Sequence, residues 1–436
     1  MCIRDSHIIK SRIPDYENVI VTCSRNGAVD SIVEKLQALE VPDTNYIQVV
    51  GNPDKIGPTA NQYLLKNQVK RDPSIKPFHS EIERLDAAIA AFDKIDCELF
   101  QKSSWVEYLP SFFIGPVSWI FYTRLCQKRS RVQRELKYQE CEVTAKIQDK
   151  TRVYLCTIAS TDRLPEAYNA HTCIVDEAGC TSEMELGILF SKNPKNMVFI
   201  GDHQQLPPFT RGDCDREPKK HRSFFERAVN ANHSSRLHFL AEQYRMPQKL
   251  SDVVSKLFYQ GRLSTNTSTA ASRERTGMEP IMFLPVQGVE QKPVRGTSTY
   301  NDAECVAVGC VVRTFVGFFD TIRNDERKSI CVLTMYSEQK RRLQEELSEF
   351  EDRVTITTVD GAQGMEFDIV LLSTVRTTEN RFLLNAKRVN VAISRARQTL
   401  VVVGNERMLS KAKYFKTVIK HARKMDMNNL LLGSCN

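Results

Sequence analysis

Two short apolar runs end in side chains suited to phosphate chemistry. Ile174-Val-Asp-Glu-Ala-Gly179 closes on a pair of carboxylates, and Met197-Val-Phe-Ile-Gly-Asp-His-Gln-Gln-Leu-Pro-Pro208 closes on an acid and two amides. Buried parallel strands deliver polar groups to a site at their carboxyl ends in this way. These residue types suit the metal-and-water end of a nucleotide hydrolase. Asp176 would hold Mg2+, Glu177 would polarise the attacking water, and Gln205 would sense a γ-phosphate from the neighbouring strand.

Further along lie Gln243-Tyr-Arg-Met-Pro247, Val359-Asp-Gly-Ala-Gln-Gly-Met-Glu366 and Val389-Asn-Val-Ala-Ile-Ser-Arg-Ala-Arg397. Together with the acidic runs, and in this order, they resemble the motifs of superfamily 1 helicases of the Upf1-like group, from about Val19 to about Asn405. A short acidic string arises by chance, whereas several separate motifs in the right order do not. The resemblance implies ATP and Mg2+ as cofactors and single-stranded RNA or DNA as partner. It also implies travel from 5′ to 3′, which no residue spacing shows.

Hydrolysis spreads negative charge over the γ-phosphoryl oxygens, and arginines from a second domain stabilise it while coupling chemistry to closure. Arg245 and Arg395 match the two family positions that do this. The plainer alternative is that they form exposed ion pairs, as helix-surface arginines do; for Arg397 the two readings weigh equally. Tyr244 matches the adenine-stacking aromatic, although a tyrosine beside an apolar strand also serves as core. Glu366 matches a residue that contacts ribose or phosphates, and Gln363 and Gly364 would shape its loop, the glycine allowing close backbone approach. Gln339 fits the motif after a central strand, in a structural or a coupling role.

A translocating enzyme grips sugar and phosphate at strand ends, because sequence must not matter. Asn26, Thr157 and Thr358 are the candidates. Two departures from the family pattern stand out. Cys23-Ser-Arg-Asn26 replaces Ala-Pro-Ser-Asn and puts a charge beside the strand path, and the acidic motif ends in Ala178-Gly179, where only local changes are expected.

No phosphate-binding loop is visible. Such a loop needs glycines, then Lys and Ser or Thr, and none of the eighteen glycines is followed by Lys. Gly51-Asn-Pro-Asp-Lys-Ile-Gly-Pro58 has the wrong spacing and reads as an ordinary turn. In the family the loop lies upstream of Val19, so the expectation is a chain shortened at its amino end, with Met1 to Ser6 not its natural start. Alone it is expected to hydrolyse ATP weakly or not at all.

The elements that must position these residues fall into two series. Runs at Val19–Thr22, Tyr46–Val50, Val153–Thr157, Cys173–Asp176 and Met197–Gly201 alternate with helical patterns such as Ala28–Leu39. A second series comprises Leu237–Leu240, Ile281–Leu284, Ile330–Thr334, Val354–Thr358, Ile369–Ser373 and Leu400–Gly404. The predicted fold class is α/β, with two RecA-like parallel-sheet domains at 1–222 and 223–436, joined near Gly212 to His221. The stretch of about 61–150 reads as helix, and the resemblance suggests a stalk. Between Arg124 and Arg152, nine Lys or Arg face four Asp or Glu, which suits a nucleic-acid backbone or merely a solvated face.

A net charge of +8 over 436 residues suits a polyanion partner without requiring one. The thirteen cysteines include no C-x-x-C pair, so reduced structural thiols in a cytoplasmic or nuclear setting are expected. Trp105–Leu125 is apolar but interrupted by charge and proline, too short to span a bilayer, and its aromatic residues are expected to pack helices against a domain. The leading reading is an ATP-dependent helicase, with RNA surveillance as one setting. The alternatives are a DNA-directed helicase-nuclease relative and a degenerate scaffold that binds strands without turnover.

Overall fold

The computed structural model describes residues 17–23, 26–38, 46–102, 114–209, 223–231, 236–294, 296–321 and 328–426. Its contacts divide the chain into two compact units, Met1–Gly201 and Asp202–Asn436. The break falls ahead of the 222/223 division expected from sequence, and the expected linker at 212–221 lies outside the described residues.

In the first unit the apolar runs become β1 (Val19–Cys23), β2 (Ile47–Val50), β3 (Val153–Thr157), β4 (Thr172–Val175) and β5 (Asn196–Phe199). All are parallel, in the order β2-β3-β1-β4-β5, with Val21 beside both Leu155 and Ile174. Helix α1 (Asn26–Ala38) buries Val29, Ile32, Val33 and Leu36, spaced for one face of a helix, against Val19, Val21, Val153 and Leu155. From β1 the chain crosses to one side of the sheet, and from β4 to the other. The carboxyl ends of these neighbouring strands therefore form a switch point, where open parallel sheets bind ligands.

Gly51–Pro58 is a turn, as expected, with the Asn52 side chain accepting from the Asp54 N–H at 3.1 Å. The segment after it is helical: α2 (Leu65–Arg71), α3 (Lys76–Lys102) and α4 (Ile114–Lys150). Val69, Ile75, Leu136 and Val143 form their shared core, and Lys128 pairs with Glu81 at 2.5 Å. The expectation for the aromatic stretch is corrected where it can be seen. Trp119 is 67% exposed, on the side of α4 away from Val132, Leu136 and Val143, and Phe121 is exposed although its spacing aligns it with them; Tyr122 is half-buried, and Trp105, Phe112 and Phe113 lie outside the described residues. Among the described residues no helix is long and apolar enough to cross a membrane.

The second unit holds α5 (Phe224–Asn230) and then a small parallel pair, β6 (Glu242–Gln243) and β7 (Ser264–Thr265), flanking α6 (Gln248–Phe258). Its main sheet comprises β8 (Ile281–Pro285), β9 (Ile330–Thr334), β10 (Val354–Thr358), β11 (Phe367–Ser373), β12 (Ala396–Gly404) and β13 (Arg423–Lys424). The order is β10-β9-β11-β12-β8-β13, all parallel. Alternate residues serve two cores. Leu333, Val370, Leu372 and Val402 face α6, α9 (Ala386–Ile393) and α10 (Lys413–Lys420), while Val332, Leu371, Val401 and Val403 face α7 (Asp302–Thr321) and α8 (Ser337–Glu346). The expected strand at Leu237–Leu240 does not form. The sheet position beside β8 is taken by β13, and Leu237, Phe239 and Leu240 stay exposed, with the Arg262 guanidinium 4.0 Å from the Phe239 ring centre.

Candidate active site

In the first unit β4 leads directly into the acidic pair. The Asp176 N–H donates to Thr22 O at 2.8 Å, so Asp176 still rides on β1, and it is buried. Its Oδ1 accepts from the Glu177 N–H at 2.9 Å. Glu177 then turns left-handed, with φ 53° and ψ 37°, before a short 3-10 turn at Ala178–Cys180. A non-glycine residue in that region is uncommon and costs roughly 1–2 kcal/mol. Ala178 N–H donates to Ile200 O at 2.9 Å, tying this turn to the end of β5. A Cβ on Gly201 would lie 2.8 Å from Gly179 N, so the two loops approach too closely for any side chain there.

Thr157 ends β3, two strands from β4, and its Oγ1 is 2.9 Å from Ser160 Oγ. Asn26 begins α1; its side chain lies outside the described residues.

The second unit gathers a denser set. Arg395, only 2% exposed, spreads its guanidinium over three acceptors. Nε donates to Val391 O at 3.1 Å, Nη1 to Met365 O at 3.0 Å and Nη2 to Gln205 Oε1 at 2.8 Å. Gln205 in turn donates from Nε2 to Asp202 Oδ2 at 2.9 Å. The Tyr259 hydroxyl donates to the same carboxylate oxygen, and Asn390 Nδ2 donates to Tyr259 at 2.8 Å and to Gln204 O at 3.0 Å. Burial first, and then the Asp202 charge, push the Tyr259 phenol far above its ordinary range, so it stays a donor.

Arg245 joins this set through the backbone. Its Nε donates to Glu366 Oε2 at 2.8 Å and its Nη1 to Ser394 O at 3.0 Å, next to Arg395. The turn that carries it is built on Gln243, whose Oε1 accepts from the Arg245 and Met246 N–H groups, each at 2.8 Å. Tyr244 is 58% exposed and donates its hydroxyl to Glu242 at 2.6 Å, so its ring is not core. Thr358 ends β10, and its Oγ1 accepts from the Gly361 N–H at 3.2 Å. Gly364 sits at φ 82°, where only glycine is unstrained.

Two further residues of the second unit have charged or buried partners. Arg397 pairs with Asp368 at 3.0 Å and lies 3.7 Å from the Glu366 carboxylate. Gln339 is fully buried: Oε1 accepts from the Asn301 N–H at 2.8 Å and Nε2 donates to Ser373 Oγ at 3.0 Å. Beside it, Glu304 Oε2 accepts from Ser373 Oγ at 2.7 Å and from the N–H of Val375, itself left-handed at φ 68°. Burial pushes the Glu304 carboxyl up to about 7, against the lowering effect of these hydrogen bonds.

The structure thus brings Gln205, Arg245, Glu366 and Arg395 together in the second unit, with Tyr244 beside Arg245, and places Asp176 and Glu177 side by side in the first. The sequence assigns no role to Gln243, Tyr259, Asn301, Glu304 or Asn390. Only Gln243 and Asn390 stand within one of the motifs; the other three carry no local signal.

Two family models, each described as an AAA domain, match residues 7–211 and 220–407. An uncharacterized ATP-dependent helicase of Methanocaldococcus jannaschii is 26% identical, across 94% of this chain and 64% of that protein. The ATP-dependent helicase upf1 of Schizosaccharomyces pombe is 29% identical, across 65% of this chain and 32% of its own length. Among solved structures, Arterivirus nonstructural protein 10 (helicase) with DNA aligns at 12% identity and a TM-score of 0.41, covering 94% of this chain and 59% of that one. Two parallel, helix-covered sheets with an acidic strand end in one and paired arginines in the other are the architecture of the superfamily 1 nucleotide hydrolases. The chain belongs to their Upf1-like group. It spans less than two thirds of the length of both curated relatives.

Proposed function

We propose that this chain carries the hydrolytic and strand-gripping parts of an ATP-dependent helicase or translocase acting on single-stranded RNA or DNA in the cytoplasm or nucleus. Residues 1–222, with the helical stalk at about 61–150, would be its first RecA-like domain and 223–436 its second. The observation that carries the reading is the buried Arg395 fork, set against Gln205 and one residue from the backbone that holds Arg245. Burying the Arg395 guanidinium is costly, and a polyanion held between it and the half-buried, Glu366-paired Arg245 would offset that cost.

Among the described residues no cluster of three metal-ligating side chains exists, so a resident metal cage does not fit. The buried Asp176 carboxylate does fit Mg2+ that arrives with nucleotide, since that ion takes one or two carboxylates and the rest from phosphates and water. When bound, Mg2+ neutralises phosphate charge. Asp176 would hold it, and Glu177 would orient and deprotonate water at its carboxylate. Gln205 would read the γ-phosphate, and Arg245 and Arg395 would stabilise charge on the transferring oxygens. The exposed Tyr244 ring offers a face for adenine, Glu366 and the Gly364 loop would contact ribose or phosphates, and Asn26, Thr157 and Thr358 would hold the strand.

The test is ATP turnover at saturating single strand, in a polypeptide that joins this chain to a phosphate-binding loop. Glu177→Gln should abolish turnover and leave ATP and strand binding intact, because an amide is no base. Turnover that survives this change would sink the assignment.

A further inference from the structure

The outward side of α4 presents an uninterrupted exposed stripe. Ile120, Arg124, Gln127, Arg131, Arg134, Tyr138 and Cys141 follow one another at spacings of three and four residues, and every one of them is exposed. The opposite side carries the buried Val132, Leu136 and Val143. Trp119 and Lys137 border the stripe, each one position before a member of it, and are exposed too. Among the described residues Arg124, Arg134 and Lys137 have no carboxylate within ion-pair distance; Arg131 pairs with Glu135 at 3.1 Å. Two large aromatic rings, Trp119 at 67% and Tyr138 at 64% exposure, thus stand at the ends of a row of cations. At 1.5 Å per residue they are about 28 Å apart along the axis.

Leaving such rings in water has no folding benefit, and they lie on the side of α4 away from its packing partner. A row of cations alone would suit any polyanion. Flat aromatic faces add an attraction that unpaired bases meet and carboxylate side chains do not, and bases inside a duplex cannot reach them. We infer that this stripe of α4 is a second contact surface for single-stranded nucleic acid, with bases stacked on Trp119 and Tyr138 and phosphates held by Arg124, Arg131, Arg134 and Lys137. It is separate from the strand contacts proposed at Asn26, Thr157 and Thr358, and would guide a strand outside the nucleotide-dependent grip.

The sequence holds two tryptophans, so Trp105→Phe leaves Trp119 as the sole tryptophan reporter. Titrating that variant with oligo(dT) or oligo(U) should quench its tryptophan fluorescence, with an affinity that falls steeply as salt rises. Adding Arg124→Glu, Arg131→Glu and Arg134→Glu should weaken the quench by about tenfold or more and flatten the salt slope by about 2, at roughly 0.7 per lost phosphate contact. The matching lysine triple should keep most of the binding, which separates lost charge from lost fold. Strand binding seen by polarisation of a labelled oligonucleotide without any tryptophan quench would overturn this surface and leave the proposed strand contacts standing. Equal quenching by polyglutamate would also overturn it, and would point to an acidic protein partner.

Discussion

The acidic pair of the first unit and the arginine pair of the second are held in place by different means. Asp176 and Glu177 ride on main-chain geometry: a strand continued by one hydrogen bond to Thr22, then a left-handed residue and a 3-10 turn tied to Ile200. Arg245 and Arg395 are held through their guanidinium forks, by bonds to Glu366, Ser394, Val391, Met365 and Gln205. Where the main chain sets a side chain's position, exchanging that side chain should loosen the fold less. Groups held by their own forks contribute to the fold through the same bonds that aim them.

Substitutions can break that contrast. The largest effect belongs to Glu177→Gln, expected to lower turnover by about 10²–10⁴ while shifting unfolding free energy by less than about 0.5 kcal/mol. A large loss of stability on denaturant titration would mean that the acidic pair is also structural. Next comes Arg395→Ala, which on the proposed role removes a transition-state contact worth about 10³ in turnover and takes away a donor from Val391 O, Met365 O and Gln205 Oε1. Its unit should lose about 3 kcal/mol of stability by the same titration, and Arg395→Lys should not restore it, because one ammonium cannot serve three diverging acceptors. An unchanged midpoint would erase the distinction between the two units.

Glu304 extends the contrast to pH. Its folded carboxyl titrates near 7 against an ordinary 4.5, so between these values the unfolded chain has released a proton that the folded one retains. Stability from this group is therefore present below about 4.5 and lost as pH rises to about 7, by roughly 3 kcal/mol. Unfolding of the native chain minus that of Glu304→Gln, compared at pH 5 and 7.5, should show that fall; parallel curves would refute it. The smallest effect sharpens the main-chain argument. Glu177→Gly should fold more stably than Glu177→Ala by about 1 kcal/mol, since only glycine accepts φ 53° without strain, and equal melting midpoints would remove the case for a strained residue.

What could be read in the sequence was what lies next to its own signal. Runs such as Val19–Cys23 and Ile330–Thr334 are near-continuously apolar because helices cover both faces of a parallel sheet, and the acidic pair directly follows such a run. Supports that arrive by packing were not legible. Tyr259 reaches Asp202 across 57 positions and Asn390 reaches Gln204 across 186. Leu237–Leu240 looked like a strand because local hydrophobicity cannot tell that β13 holds the place beside β8. Trp119 looked like core for a similar reason, since composition does not say which side of a helix meets a partner.

The bond between Gln205 Oε1 and Arg395 Nη2, at 2.8 Å, makes the amide and the guanidinium competitors for each other and for whatever else binds either. A ligand that takes the guanidinium's place at the amide oxygen releases the arginine, and an anion that draws the arginine away leaves that acceptor position open. Linkage is then reciprocal: the factor by which occupancy of one changes affinity at the other is the same in both directions. One short contact is in this sense a two-way exchange, through which the occupancy of the amide and that of the guanidinium report on each other.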